Sequence, residues 1–135
     1  MITESLYTID STHTDELGHL NHVSAIKLLE FARDDWYQQA GLWEGRPWTD
    51  QETLGTIVVN VNVNYRLECF IDEKVVVKTF PVSRGTKSYT IGQEIVKADG
   101  QVAIDGESTS VIMNLETHEV IVVPHSMAQY LPGKT

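Results

Sequence analysis

The strongest constraint in this chain is a single change of period. From His22 to Ala40 the apolar residues Ala25, Leu28, Leu29, Ala32, Trp36 and Ala40 recur at three- and four-residue intervals, while Lys27, Glu30, Asp34 and Gln38 take the opposite face. That spacing predicts one long amphipathic helix, with Gly41 where a helix-ending glycine belongs. After residue 56 the period becomes two: Ile57, Val59, Val61, Val63, Tyr65 and Leu67 alternate with Val58, Asn60, Asn62, Asn64 and Arg66. This describes a long strand with one apolar and one polar face. Further strands are expected at 74–82, 87–97 and 102–114, separated by Ser83-Arg84-Gly85-Thr86 and by the hairpin pair Asp99-Gly100. A short strand around Tyr7 and Ile9 precedes the helix, and a last one, Val120 to Val123, stops at Pro124. One helix beside five or six antiparallel strands is an α+β domain in which the helix must bury its stripe on one face of the sheet. The other face, or an edge, is left for a partner.

With 135 residues, the pattern fits a single domain spanning 1–135. The formal charge of −9 argues against a protein that grips nucleic acid through a basic surface. No basic region followed by an apolar run opens the chain, and no stretch reaches the ~18 apolar residues that span a bilayer. A lone Cys69 closes no intrachain disulfide, so the expectation is a soluble cytoplasmic protein with no membrane partner. Charge is unevenly distributed. Residues 1–55 carry three basic and ten acidic side chains, 56–97 carry six and four, and 98–135 carry one and five. Only the middle segment can attract an anion.

The densest polar constellation, Thr12-His13-Thr14-Asp15-Glu16-Leu17-Gly18-His19-Leu20-Asn21-His22, lies immediately before the helix. A carboxylate held near the free N–H groups of a helix N-terminus is the minimum equipment for hydrolysing an acyl compound. The acid activates water or attacks, and the amide steadies the tetrahedral oxygen. The plainer reading is that Asp15 caps a turn, as loop aspartates commonly do. Three histidines beside Asp15 also invite a metal, but neighbours in sequence need not converge in space, and no metal is expected. His19 and Asn21 are read as braces that hold the loop by hydrogen bonds and so fix the carboxylate.

At these residues the chain resembles the hotdog-fold thioesterases, in the 4-hydroxybenzoyl-CoA thioesterase-like branch of acyl-CoA thioesterases. The likeness rests on Asp15, on Gly18-His19-Leu20-Asn21-His22 and on Glu30-Phe31-Ala32-Arg33. It continues through Asn62-Val63-Asn64-Tyr65-Arg66 and Ser83-Arg84-Gly85-Thr86-Lys87-Ser88-Tyr89, covering about residues 5–125. The resemblance implies a hotdog fold, Asp15 as the catalytic carboxylate, and the His22 backbone N–H as donor to the thioester carbonyl. It implies active sites at the interface of a homodimer, or of a dimer of dimers, where Thr56, Ile57, Val58 and Val59 line the acyl pocket of the neighbouring subunit. Arg84, Lys87 and Ser88 match a segment that contacts the nucleotide end of CoA in relatives. No separate cofactor is implied, since CoA is part of the substrate. His22 stands where the 4-hydroxybenzoyl-CoA enzyme has an aromatic residue, which leans away from a hydroxybenzoyl substrate.

Two other functions compete with this reading. A hotdog hydratase or dehydratase carries an Asp-x-x-Asn-Pro-x-His signature, whereas Asp15 is followed here by Glu16-Leu17-Gly18-His19. A non-catalytic acyl-CoA-binding module has no need of an acid at position 15. Glu30 and Arg33 have the spacing of a surface ion pair. Leu28, Leu29 and Trp36 read as core, while Trp36, Trp43, Trp48 and Phe70 are the aromatic residues available to shape an acyl pocket.

Overall fold

The helical period materialises as α1, His22–Gln39, and the two-residue period as the strands around it. The computed structural model describes residues 1–40 and 54–133, so Gly41, Trp43 and Trp48 lie outside the described residues. The strands are β1 (Thr3–Thr8), β2 (Leu54–Tyr65), β3 (Lys74–Arg84), β4 (Tyr89–Lys97), β5 (Val102–Asn114) and β6 (Val120–Ile121), followed by the short α2 (His125–Ala128). All pair antiparallel in the order β1-β3-β4-β5-β2, with β6 pairing β5 at Ile112 and Met113, beyond the end of β4. Ile9 falls just past β1, and the strand expected to run to Val123 ends at Ile121.

α1 buries Ala25, Leu28, Leu29, Ala32 and Trp36, the residues its period selected, and it lies across β3 and β1. Its N-terminal half packs on Val75, Val77, Ile95 and Ile104. Its C-terminal half, through Trp36 and Tyr37, meets Leu54, Tyr89, Ile91 and Ile112, and the chain end closes over them with Met127 and Leu131. Burial of each large apolar side chain contributes about 2–3 kcal/mol.

The strict alternation expected along β2 fails at one point. A bulge between Val58 and Asn60 inserts a residue, so the phase of the strand reverses there. Cross-strand partners share a face, and Val58 pairs with Ser110 while Val61, Val63 and Tyr65 pair with Ser108, Gly106 and Ile104. Val58 therefore joins Val61, Val63 and Tyr65 on the helix side, whereas Ile57 lies on the outer face with Asn60, Asn62 and Asn64. Gly106 is required beside this strand: a Cβ there would stand 2.6 Å from the Asn62 carbonyl oxygen. β2 is one edge of the sheet, and its free side meets no other strand among the described residues.

Candidate active site

Thr14 and Leu20 form an antiparallel bridge, and the chain between them folds back on Asp15. The Asp15 carboxylate accepts two backbone hydrogen bonds on the same oxygen, Oδ1, from the N–H of Leu17 at 2.9 Å and of His19 at 3.1 Å. Gly18 supplies the left-handed residue that closes the turn, at φ +77°. The turn-capping role of Asp15 is thus real, and it leaves Oδ2 open.

Helix α1 starts at once. The Asn21 side chain accepts from Ser24 N at 2.9 Å and caps the helix. The amides of His22 and Val23 have no acceptor among the described residues, so the positive end of an 18-residue helix begins at a free donor. Asp15 and His22 border one cleft of about 340 Å³, together with His19 and, from the end of β2 and the segment after it, Tyr65, Arg66 and Glu68. The Tyr65 hydroxyl stands 3.5 Å from the His22 carbonyl oxygen. Burial raises its phenol, which stays a protonated donor. Cys69, also on this cleft, has its thiol pushed up to about 11 by burial and by Glu73, so it offers no thiolate at neutral pH.

The remaining sequence-selected residues lie elsewhere in the protomer. Thr56, Ile57, Val58 and Val59 occupy the opposite end of β2, about 25 Å from Tyr65 at ~3.3 Å per residue. Arg84 ends β3, ten residues and roughly 30 Å beyond Lys74. Its backbone N–H donates to the Pro132 carbonyl and its buried Nε finds no acceptor among the described residues. Lys87 is exposed, and the Ser88 carbonyl accepts from the Gly85 N–H in the turn that follows β3. One protomer therefore does not bring the Asp15 cleft, the expected acyl wall and the expected CoA contacts together.

The ion pair that Glu30 and Arg33 suggested by spacing is not formed: Arg33 turns inward and donates to the Gln93 side chain at 3.1 Å, and Gln93 in turn donates to the Leu29 carbonyl. His13 pairs with Asp10 and His19 with Glu68, so the histidines diverge. No three of His, Cys, Asp and Glu gather to hold a metal among the described residues. Trp36 is core, and Phe70 stands edge-on against the His19 ring instead of lining the cleft. Sequence reasoning passed over Tyr65, Arg66 and Glu68 as site residues. The first two sit in a quoted family segment; Glu68 carries no local signal, because its partner is 49 positions away. The Asn60, Asn62 and Asn64 ladder lines a second, outward cavity of about 440 Å³ with Glu94, Asp105 and Glu107, an acidic surface unsuited to a polyanion.

The sequence profile of the thioesterase-like superfamily matches residues 11–131. The chain is 25% identical over 120 residues to the long-chain acyl-CoA thioesterase FadM of Escherichia coli (strain K12), covering 88% of this chain and 89% of that protein. Among solved structures, a Staphylococcus aureus protein in complex with CoA superposes with a TM-score of 0.86 at 15% identity, covering 100% of this chain and 89% of the other. The DHNA-CoA thioesterase of Staphylococcus aureus superposes with a TM-score of 0.77 at 23% identity, over 90% and 80% of the two chains. The hotdog arrangement of one helix on a six-stranded antiparallel sheet is common to them. No described helix is long and apolar enough to cross a membrane.

Proposed function

The chain belongs to the thioesterase-like superfamily, and from that premise we propose that it hydrolyses acyl-CoA thioesters to a free acid and CoA at sites shared between two chains. The observation that carries the reading is the coincidence, on one cleft, of a carboxylate with an open oxygen and the free first amide of a long helix. Asp15 Oδ2 takes a proton from water, and the resulting hydroxide adds to the thioester carbonyl carbon. The carbonyl oxygen, now an anion, is held by the His22 N–H. Collapse breaks the C–S bond, and the departing thiolate recovers the proton from Asp15. Attack by Asp15 itself uses the same oxygen and passes through an anhydride that water then opens.

The rest of the site follows from β2. A 12-residue edge strand without proline or lysine, exposing Val58, Val59, Val61 and Tyr65, is an open invitation to pair. If a second copy pairs antiparallel about Val61, its Thr56–Val59 segment lies beside Tyr65 and hence beside the Asp15 cleft. The register Arg84↔Tyr89, Tyr89↔Ser110, Ser110↔Val58 runs straight across the sheet. The second chain's Arg84 and Lys87 then stand three strand spacings, about 14 Å, farther out. That is where the phosphates of a bound CoA need positive charge. Val58, Val61 and Val63 supply an apolar wall for the acyl group.

The test is an acyl-CoA panel of aromatic, short, medium and long chains, with release of CoA thiol as readout. Asp15→Asn is expected to lower turnover by about 10²–10⁴-fold while leaving the circular dichroism unchanged and lowering the melting temperature by no more than about 4 °C. Undiminished turnover in that variant rejects the assignment.

A further inference from the structure

We infer that Glu68 is a positioning residue for Asp15, acting through His19. The inference rests on the thioesterase reading and adds to it a residue from a different part of the chain. Asp15 is held by the His19 backbone N–H, so whatever fixes His19 fixes the carboxylate. The His19 imidazole Nδ1 is 3.2 Å from a Glu68 carboxylate oxygen. The His19 ring packs edge-on against Phe70, with centroids 4.9 Å apart, and the two residues also form a backbone bridge. On either side, Leu20 N donates to the Cys69 carbonyl at 2.8 Å and Ile71 N to the Gly18 carbonyl at 3.0 Å. The Asp15 turn is thus stitched along its return limb to residues 68–71.

That second segment is itself braced. Lys97, at the end of β4, donates to the Glu68 carbonyl at 2.6 Å, pairs with Glu73 at 3.1 Å and lies over the Phe70 ring at 5.5 Å. Glu68 therefore presents its carboxylate from a backbone anchored to the sheet. His19 and Glu68 both line the cleft that Asp15 and His22 border, so the brace ends at the cleft.

A purely electrostatic role predicts something different. Glu68 adds negative charge at the mouth of a site for a polyanionic substrate, so its neutralisation would then lower KM and spare kcat. Positioning predicts the reverse: in Glu68→Gln, kcat falls on the order of tenfold through misplacement of the carboxylate, KM stays within about twofold, and Glu68→Asp recovers part of the loss. An activity-independent arm follows the His19 amide proton by NMR. It is expected to move upfield in Glu68→Gln in the direction seen in Asp15→Asn, because both weaken its bond to Oδ1. An unchanged kcat, a loss confined to KM, or a His19 amide that ignores Glu68→Gln overturns the inference. If the wild-type protein releases no thiol from any acyl-CoA, the thioesterase reading itself has failed. The amide resonance then separately decides whether Glu68 holds the Asp15 turn.

Discussion

Val61→Glu is the sharpest test of the proposed shared site, because Val61 lies within the free β2 edge, at the proposed two-fold, half-exposed on the helix side of the sheet. In a lone protomer a carboxylate there meets water and does little. Across a two-fold axis through Val61, two carboxylates come within about 5 Å and repel by about 3 kcal/mol at an effective dielectric near 20. Removing each from water without a partner adds about 2 kcal/mol or more. Together this is roughly 7 kcal/mol per dimer, on the order of a 10⁵-fold rise in Kd. Sedimentation velocity should find a wild-type dimer and a Val61→Glu monomer at the same concentration, with Val61→Ala still dimeric. CoA release per chain should vanish in the monomer, since Tyr65, at the Asp15 cleft, is then about 25 Å along β2 from Thr56–Val59. A Val61→Glu monomer with full turnover would refute the shared site; a Val61→Glu dimer would refute pairing through β2.

Subunit complementation gives a second check: Asp15→Asn and Arg84→Glu homodimers are each expected to be impaired, the second mainly in KM. Mixed dimers should regain one intact site and up to half the wild-type rate, whereas no recovery on mixing places both residues in one protomer's site. Asn21→Ala removes the helix cap at a cost of about 1 kcal/mol, about 4 °C in Tm, and should be rescued by Asn21→Ser; an unchanged melting curve contradicts the capping role. Cys69 should resist a thiol reagent at pH 8 in the folded protein and react fully once unfolded. Burial raises its thiol from near 9 to about 11, so its contribution to stability is complete below pH 9 and is lost as pH climbs through 11. Thiol release by the native protein alone at pH 8 contradicts this.

What the sequence revealed was local. α1 was legible because Ala25, Leu28, Leu29, Ala32 and Trp36 follow a 3.6-residue period, and those five are buried, although the apolar Val23 and Phe31 stay exposed. Asp15 and Asn21 were legible because a turn and a helix cap are built from neighbours. β2 was legible as a strand but not in phase, since the bulge before Asn60 answers to its fit against β5 and Gly106 and not to its own composition. Arg33 was misread for a related reason: at i+3 from Glu30 it fits a surface pair, but its partner, Gln93, comes from β4 sixty residues on. Glu68 was passed over because its role arises only when the segment after β2 closes on the loop before α1.

Charge ties these pieces together. The Asp15 cleft holds Asp15 and Glu68, and the one permanent cation lining it among the described residues, Arg66, is engaged by Asp105. Glu73, on the segment beside it, is paired with Lys97, so among the described residues the cleft lining offers no unpaired permanent cation to a polyanion. The basic turn at Arg84 and Lys87 attracts one but has no catalytic acid beside it. On the proposed reading, a chain of net charge −9 processes a CoA ester where the attracting end of one copy meets the reacting end of another. Antiparallel pairing of β2 makes that juxtaposition twice per dimer, once at each end of the strand. Under that proposal the free edge strand and the separation of charge answer one requirement, and the nucleotide of CoA lies away from the acidic groups near Asp15, toward the second copy's Arg84 and Lys87.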